Sequence, residues 1–344
     1  MADKNNIHLS SSPHFSEGLS TTKVMLLVIL ALLPEAVFGV VIFGVRALVT
    51  ILASVLSCVA FEWLFQKIIG KKRTSVKDLS AVVTGLILAL VCPPAVPVWM
   101  VVLGAFFAIV VAKGLFGGIG ANVFNPALTG RAFMFISFPK AMGAGWLLPN
   151  ADGRWSFAKP GIDAISGATA LPLMKSGGFD SAANLKDLFF GFRPGCIGET
   201  SILIILICWA ILVLIRIVDW RATVSYLGVL TVCLLCAGKT GADLAAQLMA
   251  GGVVLGAAFM ATDYATAPVT GPGRLVFGAG CGLITFLIRQ FGSYPEGCMF
   301  SILIMNAIAP FLNNLTTRKY GYGKKASAKK QNAKPVENKQ EESK

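Results

Sequence analysis

Histidine is nearly absent from this chain of 344 residues, which has only His8 and His14. Both lie before the first apolar run, so no histidine can ligate a haem inside a membrane. Most of the eight cysteines lie within apolar runs, where cysteine behaves as a small hydrophobic residue. Cys233 and Cys236 form a CxxC pair, but an iron–sulfur cluster needs about four thiolates. The sequence also lacks a G-x-G-x-x-G dinucleotide fingerprint. We therefore predict no metal site and no catalytic residue within the chain itself.

Charged residues are also scarce. They make up 14% of the chain against 55% hydrophobic residues, and the mean hydropathy is +0.72. Soluble proteins average about 25% charged residues, so the excess apolar surface is expected to face lipid. The net charge of +13 does not indicate nucleic-acid binding, because Lys and Arg concentrate between 67 and 77 and after 318. This distribution is typical of the cytoplasmic segments of membrane proteins.

The apolar runs predict an all-α polytopic membrane protein. A spanning helix needs roughly 20 apolar residues, and about ten runs approach that length. Two of them, 79–93 and 243–262, contain Gly, Pro and polar residues, which favours short or broken helices lining a cavity. The runs are 24–44, 46–66, 79–93, 97–113, 122–138, 200–217, 223–237, 243–262, 274–289 and 298–314.

The charged loops predict the organisation of the chain. Basic residues concentrate in alternate short loops, which places both termini in the cytoplasm of a bacterial inner membrane and the loop 139–199 outside. The tail is basic and poor in hydrophobic residues, and we predict that it is disordered. The predicted segments are a leader 1–23, a five-helix half 24–138, the external loop 139–199, a second half 200–316 and the tail 317–344.

The two halves resemble each other faintly in sequence. KDLSAVVTGLILAL is echoed by GADLAAQLMAGGVVLGA, and NVFNPALTG is echoed by NAIAPFL. Halves with an odd number of spans would have opposite orientations, so these echoes indicate an inverted repeat, a fold that places its sites near the repeat interface. Chance similarity between glycine-rich helices is the alternative that the sequence leaves open.

The external loop contains one motif with chemical content, Asp163-Ala-Ile-Ser166-Gly167-Ala168-Thr169. Small residues allow backbone amides to approach a phosphate closely, and Thr169 offers a hydroxyl that could form a phosphate ester. An ordinary surface turn explains the same residues, because Ser-Gly is common in loops. The motif alone leaves both interpretations open.

Longer segments of the sequence resemble a known family. The matching stretches run in order from about residue 10 to 320: SPHFSEGLSTTKVMLLVILALLPEAVFG, KGLFGGIG followed by NVFNP, MATDYATAPVTGPGR and GSYPEG. They are similar to the NqrB subunit of the Na⁺-translocating NADH:quinone reductase and to the RnfD subunit of the Rnf complex, which form one family. The short leader resembles that of the Rnf subunit.

This resemblance implies a fold and a cofactor. Members of the NqrB/RnfD family have ten transmembrane helices in two inverted five-helix repeats, similar to urea transporters. A flavin transferase esterifies FMN to the threonine of a D-x-x-S/T-G-A-T pattern, which is complete here with Asp163, Ser166, Gly167, Ala168 and Thr169. The resemblance therefore implies covalent FMN on Thr169.

The resemblance also implies a non-covalent riboflavin among the helices. Polar residues beside the broken regions are candidates to bind it, namely Asn122, Asn125, Asp263 and Arg274. Helix capping explains the two asparagines almost as well. An ion pair between Asp263 and Arg274 is the structural alternative for that pair.

Carboxylates in the apolar runs are candidates for ion coupling, because an acid inside the bilayer costs at least about 2.5–3.5 kcal/mol on insertion scales. Glu35 and Glu62 have no basic residue nearby in the sequence to pair with. Glu296 lies near Arg289 in the sequence, and an ion pair between them is the structural alternative to a functional role.

The leading hypothesis is an electron-transfer subunit of an Rnf-type complex, which couples electron flow from ferredoxin to NAD⁺ with translocation of Na⁺ or H⁺. Its expected partners are the lipid bilayer, the transferase and the other Rnf subunits, one of which carries a second covalent FMN. The chain is expected to act only within that oxidoreductase. The alternatives are the NqrB subunit of the quinone reductase and a urea-transporter-like channel without redox activity.

Overall fold

The structure is a computed structural model that describes residues 20–69, 76–144, 146–150, 154–155, 165–166, 169–292, 294 and 296–317. The described part is mainly helical. Most of the predicted leader and the tail after 317 lie outside it, as do Asp163, Gly167 and Ala168.

The helices of the amino-terminal part follow the predicted apolar runs closely. After α2, a single 3₁₀ turn, Val76–Asp78, leads into α3, and α4 continues as a π-helical segment, Phe107–Gly114. The helices are α1 (Thr21–Phe43), α2 (Val45–Ile69), α3 (Ser80–Leu90), α4 (Val98–Phe106) and α5 (Pro126–Ser137).

Short elements connect this part to the next group of long helices. The strands β1 (Trp146–Leu147) and β2 (Ile165–Ser166) pair antiparallel, with Trp146 opposite Ser166. The remaining short elements of this stretch are the helices α6 (Pro139–Ala144), α7 (Ala170–Ser176) and α8 (Leu185–Phe190).

The carboxyl-terminal part again consists of apolar helices. One of them, α12, continues as a second π-helical segment, Gly256–Met260. The helices are α9 (Ile202–Leu214), α10 (Trp220–Cys236), α11 (Gly241–Met249), α12 (Val253–Leu255), α13 (Gly271–Phe291) and α14 (Cys298–Thr316).

Polar side chains mark where several of these helices begin. Ser20, Asn125, Ser201, Asp219 and Thr270 are the N-cap residues of α1, α5, α9, α10 and α13, and each side chain accepts a hydrogen bond from a backbone N–H in the first turn. These bonds satisfy donors that would otherwise have no partner at a helix start. Local sequence therefore fixes these boundaries.

Two of the apolar runs are short or broken, as predicted. The helix α3 has only 11 residues and ends before Pro93 and Pro94. The helices α11 and α12 are bent by 62° at their junction. There Gly251 has a φ of +70°, a conformation that a residue with a side chain rarely adopts.

Within the described residues, four helices are long and apolar enough to cross a membrane: α1, α2, α13 and α14. The bent pair α11–α12 is a fifth candidate if it counts as one span. Large apolar side chains such as Leu30, Val37, Leu56 and Leu283 are exposed on these helices. Exposed apolar faces of this extent suit contact with lipid, so the chain is a multi-pass membrane protein.

Candidate functional sites

Thr169 lies immediately before α7, at the N-cap position, with extended backbone. Its side chain makes no capping hydrogen bond, unlike the cap residues of α1, α5, α9, α10 and α13. The residue is half-buried. The hydroxyl is therefore not engaged in closing the helix, although the position would normally favour that bond.

A cavity of about 210 Å³ opens beside Thr169. Its walls combine aromatic rings with buried charges contributed by both groups of long helices. Phe135 comes from α5, Trp146 from β1 and Phe300 from α14. The charged residues in the wall are Arg131, Arg193, Glu199 and Glu296.

Arg131 is the centre of a buried ionic cluster in this wall. Its guanidinium donates to Glu296 Oε2 at 3.0 Å and lies 3.9 Å from Glu199 Oε1. It also lies 3.6 Å from the Cys196 sulfur. Because Arg131 belongs to α5 and Glu296 precedes α14, the ion pair joins the amino-terminal and carboxyl-terminal groups of helices.

The same cluster holds the break between α11 and α12. The Gly252 N–H donates to Glu296 Oε1 at 2.6 Å. Arg289 Nη2 donates to the Ala250 carbonyl oxygen at 2.8 Å, and another of its nitrogens donates to the Gln247 carbonyl oxygen. These bonds satisfy backbone groups that the bend removes from the helix ladder.

Glu199 is held differently from Glu296. Burial and the neighbouring Glu296 raise the pKa of the Glu199 carboxyl, and Arg131 only partly opposes them. Burial also acts to raise the pKa of Glu296, but Arg131 and Arg289 outweigh it and hold that pKa below its usual value. The two carboxyls therefore differ in their readiness to bind a proton.

A second cavity, of about 110 Å³, brings together three of the four predicted riboflavin residues: Asn122, Asn125 and Asp263. Ser80 and Lys113 add polar groups, and the rest of the wall is largely apolar. Such a mixture is typical of small-molecule sites.

The capping explanation also holds for Asn125, whose Oδ1 accepts from the Leu128 N–H at 3.3 Å. The Asn125 Nδ2 atom faces the Met260 carbonyl oxygen at 3.5 Å. Asn122 Nδ2 donates to the Phe124 carbonyl oxygen at 3.3 Å. Both asparagines thus stabilise local backbone while they line the cavity.

Arg274 is not among the residues that line this cavity, and the alternative of an ion pair with Asp263 is wrong. Arg274 lies 2.7 Å from Asp219 Oδ2, across the starts of α13 and α10. Asp263 instead accepts from the Ala265 N–H and the Thr266 hydroxyl, a local turn. Arg274 therefore pairs with an acid at the start of another helix, Asp219, and not with Asp263, the acid nearest to it in the sequence.

The ion pair that Glu296 forms is with Arg131 and not with Arg289, although Arg289 also acts to lower the pKa of Glu296. Arg289 is occupied by backbone carbonyl oxygens at the helix break. Arg131 was not predicted as a site residue, although a single arginine within the apolar run 122–138 is a usable signal of one.

The two acids proposed for ion coupling lie in different surroundings. Glu62 forms a buried ion pair with Lys113 at 2.8 Å, so a basic partner distant in sequence replaces the missing local one. Glu35 Oε1 accepts from the Thr200 hydroxyl at 2.9 Å and from the Ser201 N–H at 3.3 Å. Within the described part of the chain, its Oε2 atom is buried without a hydrogen-bond partner.

A comparison with known protein families shows the class to which this chain belongs. Residues 8–321 match the model of the NQR2, RnfD, RnfE family. The chain belongs to that family, which confirms the resemblance inferred from the sequence.

The most similar relatives include the D subunit of a Na⁺-translocating ferredoxin:NAD⁺ oxidoreductase complex from Acetobacterium woodii. It is 42% identical over 93% of this chain and 96% of its own length. The D subunit of a proton-translocating ferredoxin:NAD⁺ oxidoreductase complex from Clostridium ljungdahlii is 39% identical over 91% and 95%. The D subunit of an ion-translocating oxidoreductase complex from Stutzerimonas stutzeri is 38% identical over 90% and 94%.

Proposed function

We propose that this chain is the membrane electron-transfer subunit, of the RnfD type, of an ion-translocating ferredoxin:NAD⁺ oxidoreductase complex, with FMN joined through its phosphate to Thr169. The relatives that match nearly the full chain are named as subunits of such complexes. They favour this function over the quinone-reductase alternative. Since one relative is named for Na⁺ and another for protons, the coupling ion stays outside the proposal.

The observation that carries the flavin proposal is the hydroxyl of Thr169. It is not used to cap α7, and it belongs to the wall of a cavity with aromatic and basic side chains. A phosphate ester requires a free hydroxyl, and the aromatic rings of Trp146, Phe135 and Phe300 suit the packing of a flat ring system.

The residues around Thr169 fit a flavin. FMN would supply reversible electron uptake there, and the protein supplies position and electrostatics. Trp146 and Phe300 would exclude water from the ring, and Arg131 would place a fixed positive charge near it. The guanidinium favours electron arrival, since an electron adds negative charge in a poorly screened interior, and its ion pair with Glu296 reduces this effect.

The second cavity is the proposed site of non-covalent riboflavin. Asn122, Asn125 and Asp263 would offer hydrogen bonds, while apolar residues such as Ile87 and Phe259 would contact the ring. The helix α5 contributes to both cavities, with Pro126 in one wall and Arg131 in the other. One short helix thus separates the two proposed flavins.

The proposal is tested by the fluorescence of the chain on a denaturing gel under ultraviolet light. After co-expression with a flavin transferase, the wild type should fluoresce and Thr169→Ala should be dark. Acid denaturation of Thr169→Ala should still release free riboflavin, because the second flavin is not covalent.

The matched control is Thr240→Ala. Thr240 also precedes a helix, α11, and its side chain makes no capping bond. This variant should keep full fluorescence. A dark wild-type band would contradict covalent attachment and would favour the channel alternative.

We infer further that the chain has about ten spans arranged as two inverted repeats. Matching contacts recur in the two halves. Ser54 on α2 donates to the Gly85 carbonyl oxygen on α3 at 2.7 Å, and Thr223 on α10 donates to the Ala257 carbonyl oxygen beyond α12 at 2.8 Å.

A second pair of contacts supports the same repeat. A methyl group at Gly104 on α4 would lie 2.6 Å from the sulfur of Met134 on α5. A methyl group at Gly280 on α13 would lie 2.5 Å from the sulfur of Met305 on α14. In both halves a glycine thus accommodates a methionine of the following long helix.

The proposed arrangement in the cell follows from this topology and from the relatives. Both termini would be cytoplasmic in a bacterial inner membrane, with the loop 139–199 outside. The partners would be the other subunits of the complex, one of which carries a second covalent FMN. Glu35 and Glu62 stay predictions for ion coupling.

A further inference from the structure

Two carboxyl groups meet at one glycine beside the Thr169 cavity. A methyl group added at Gly252 would lie 2.8 Å from Glu296 Oε1 and 2.9 Å from Glu199 Oε1. The missing side chain of Gly252 thus makes room for both acids. Two like charges beside each other in a buried site raise the proton affinity of one of the two groups.

The hydrogen bonds show which of the two carboxyl groups already has partners that compensate its negative charge. Glu296 accepts from Arg131 at 3.0 Å and from the Gly252 N–H at 2.6 Å. Glu199 is 6% exposed, and its Oε1 atom has no hydrogen-bond partner among the described residues. An unsatisfied buried carboxylate oxygen is costly, which raises the affinity of the group for a proton.

Several elements contribute charged or titratable groups to the cluster of Glu199 and Cys196. Arg131 comes from α5, Glu296 from the segment before α14 and Arg289 from α13, while Cys92 follows α3. Arg193 and Cys196 lie on the segment of Glu199 itself. The Arg193 guanidinium donates to the Glu199 backbone oxygen at 2.8 Å, not to its carboxylate. Arg289 is occupied by the carbonyl oxygens of the helix break.

We propose that Glu199 is a redox-linked proton site. Its carboxylate binds one proton when an electron arrives in the Thr169 cavity and releases it when the electron leaves. This inference rests on the proposed flavin at Thr169, because that group brings the electron into the cavity. Glu296 serves as the permanently charged partner that keeps Arg131 in place.

The charges balance in this step. One electron, supplied by the oxidoreductase complex, adds one negative charge to the cavity wall that Glu199 shares. One proton from water converts the Glu199 carboxylate to the neutral acid, so the net charge of the buried site does not change. In a medium of low dielectric constant the two additions favour each other strongly.

The experiment is reduced-minus-oxidised infrared difference spectroscopy of the full flavinated chain, with dithionite as the reductant. The wild type should give a carboxylic acid C=O band on reduction, and the band should shift in D₂O. Glu199→Gln should lose this band. Glu199→Asp should keep a band at a shifted frequency, which separates loss of the proton site from loss of the fold.

Asp219→Asn is the control, because Asp219 is a largely buried carboxyl that does not line this cavity. That variant should keep the band. A band that persists unchanged in Glu199→Gln would overturn the inference, as would its absence from a fluorescent wild type. A wild type without gel fluorescence would instead contradict the flavin proposal, so the two failures are distinguishable.

Discussion

Outside the Thr169 cavity, the buried ion pair of Lys113 with Glu62 is the clearest case in which single residues determine stability. Both side chains are almost completely buried, and Lys113 Nζ also donates to the Ser80 hydroxyl at 2.6 Å. The contact joins the end of the α4 π-helical segment to α2 and to the start of α3. Charges buried in this way depend on each other for their compensation.

Glu62→Gln should therefore destabilise the protein, because it leaves Lys113 buried without a counter-charge. Breaking a buried ion pair typically costs about 3–5 kcal/mol. Thermal unfolding in detergent should show a lower midpoint for this variant. The double variant Glu62→Gln with Lys113→Met should recover much of the loss, and an unchanged midpoint in the single variant would contradict the assignment.

At the scale of elements, Asp219 connects the starts of two helices. It caps α10 through the Arg221 N–H at 3.0 Å and pairs with Arg274 of α13 at 2.7 Å. Burial acts to raise the pKa of Asp219, but the hydrogen bond from the Arg221 N–H and the contact with Arg274 outweigh it. The pKa of the folded state therefore lies below the ordinary value for Asp.

A lowered pKa in the folded state means that this contact stabilises the protein above the unfolded pKa of about 3.9. The stabilisation should be lost as the pH falls through the lower pKa of the folded state. Asp219→Asn keeps the capping oxygen and removes the charge, so it should cost about 1 kcal/mol or less at neutral pH. The free energy of unfolding of Asp219→Asn should also depend less on pH below about pH 4 than that of the wild type. Unfolding experiments at several pH values test this, and Asp180→Asn, at an exposed position, is the control.

The sequence predicted helices better than it predicted contacts between them. The apolar runs located the long helices, because length and hydropathy are local properties. A short or broken helix was also predicted for the run 243–262, since glycine and polar residues interrupt it, but the position of the break at 250–252 was not. The partners of Glu296 and Arg274 were not predicted, because each residue pairs with a distant segment and not with the nearest opposite charge in the sequence.

Packing in three dimensions selects partners from distant segments. Arg131 lies 165 positions from Glu296, and Asp219 lies 55 from Arg274. No local sequence pattern indicates which residues so far apart in the chain will pair. The cavity beside Thr169 was equally unpredictable from the motif, because α5, α14 and β1 supply its walls.

At the scale of the whole molecule, the proposed topology places Lys186 and Lys67 on opposite sides of the membrane. Both residues are exposed. In intact cells, Lys186→Cys should react with a membrane-impermeant maleimide, and Lys67→Cys should react only after lysis. The exposed native Cys236 is first replaced by Ser. Equal labelling of both variants in intact cells would contradict the predicted orientation.

The helix α5 has a further consequence for how the sequence can change over time. It has 12 residues and carries parts of both cavities, Pro126 and Ala127 in one and Arg131 and Phe135 in the other. Each residue of an α-helix turns the chain by about 100° and advances it by about 1.5 Å. One inserted or deleted residue between Ala127 and Arg131 would rotate the arginine away from Glu296 while leaving the apolar character of the segment intact. This stretch should therefore accept substitutions but no change of length.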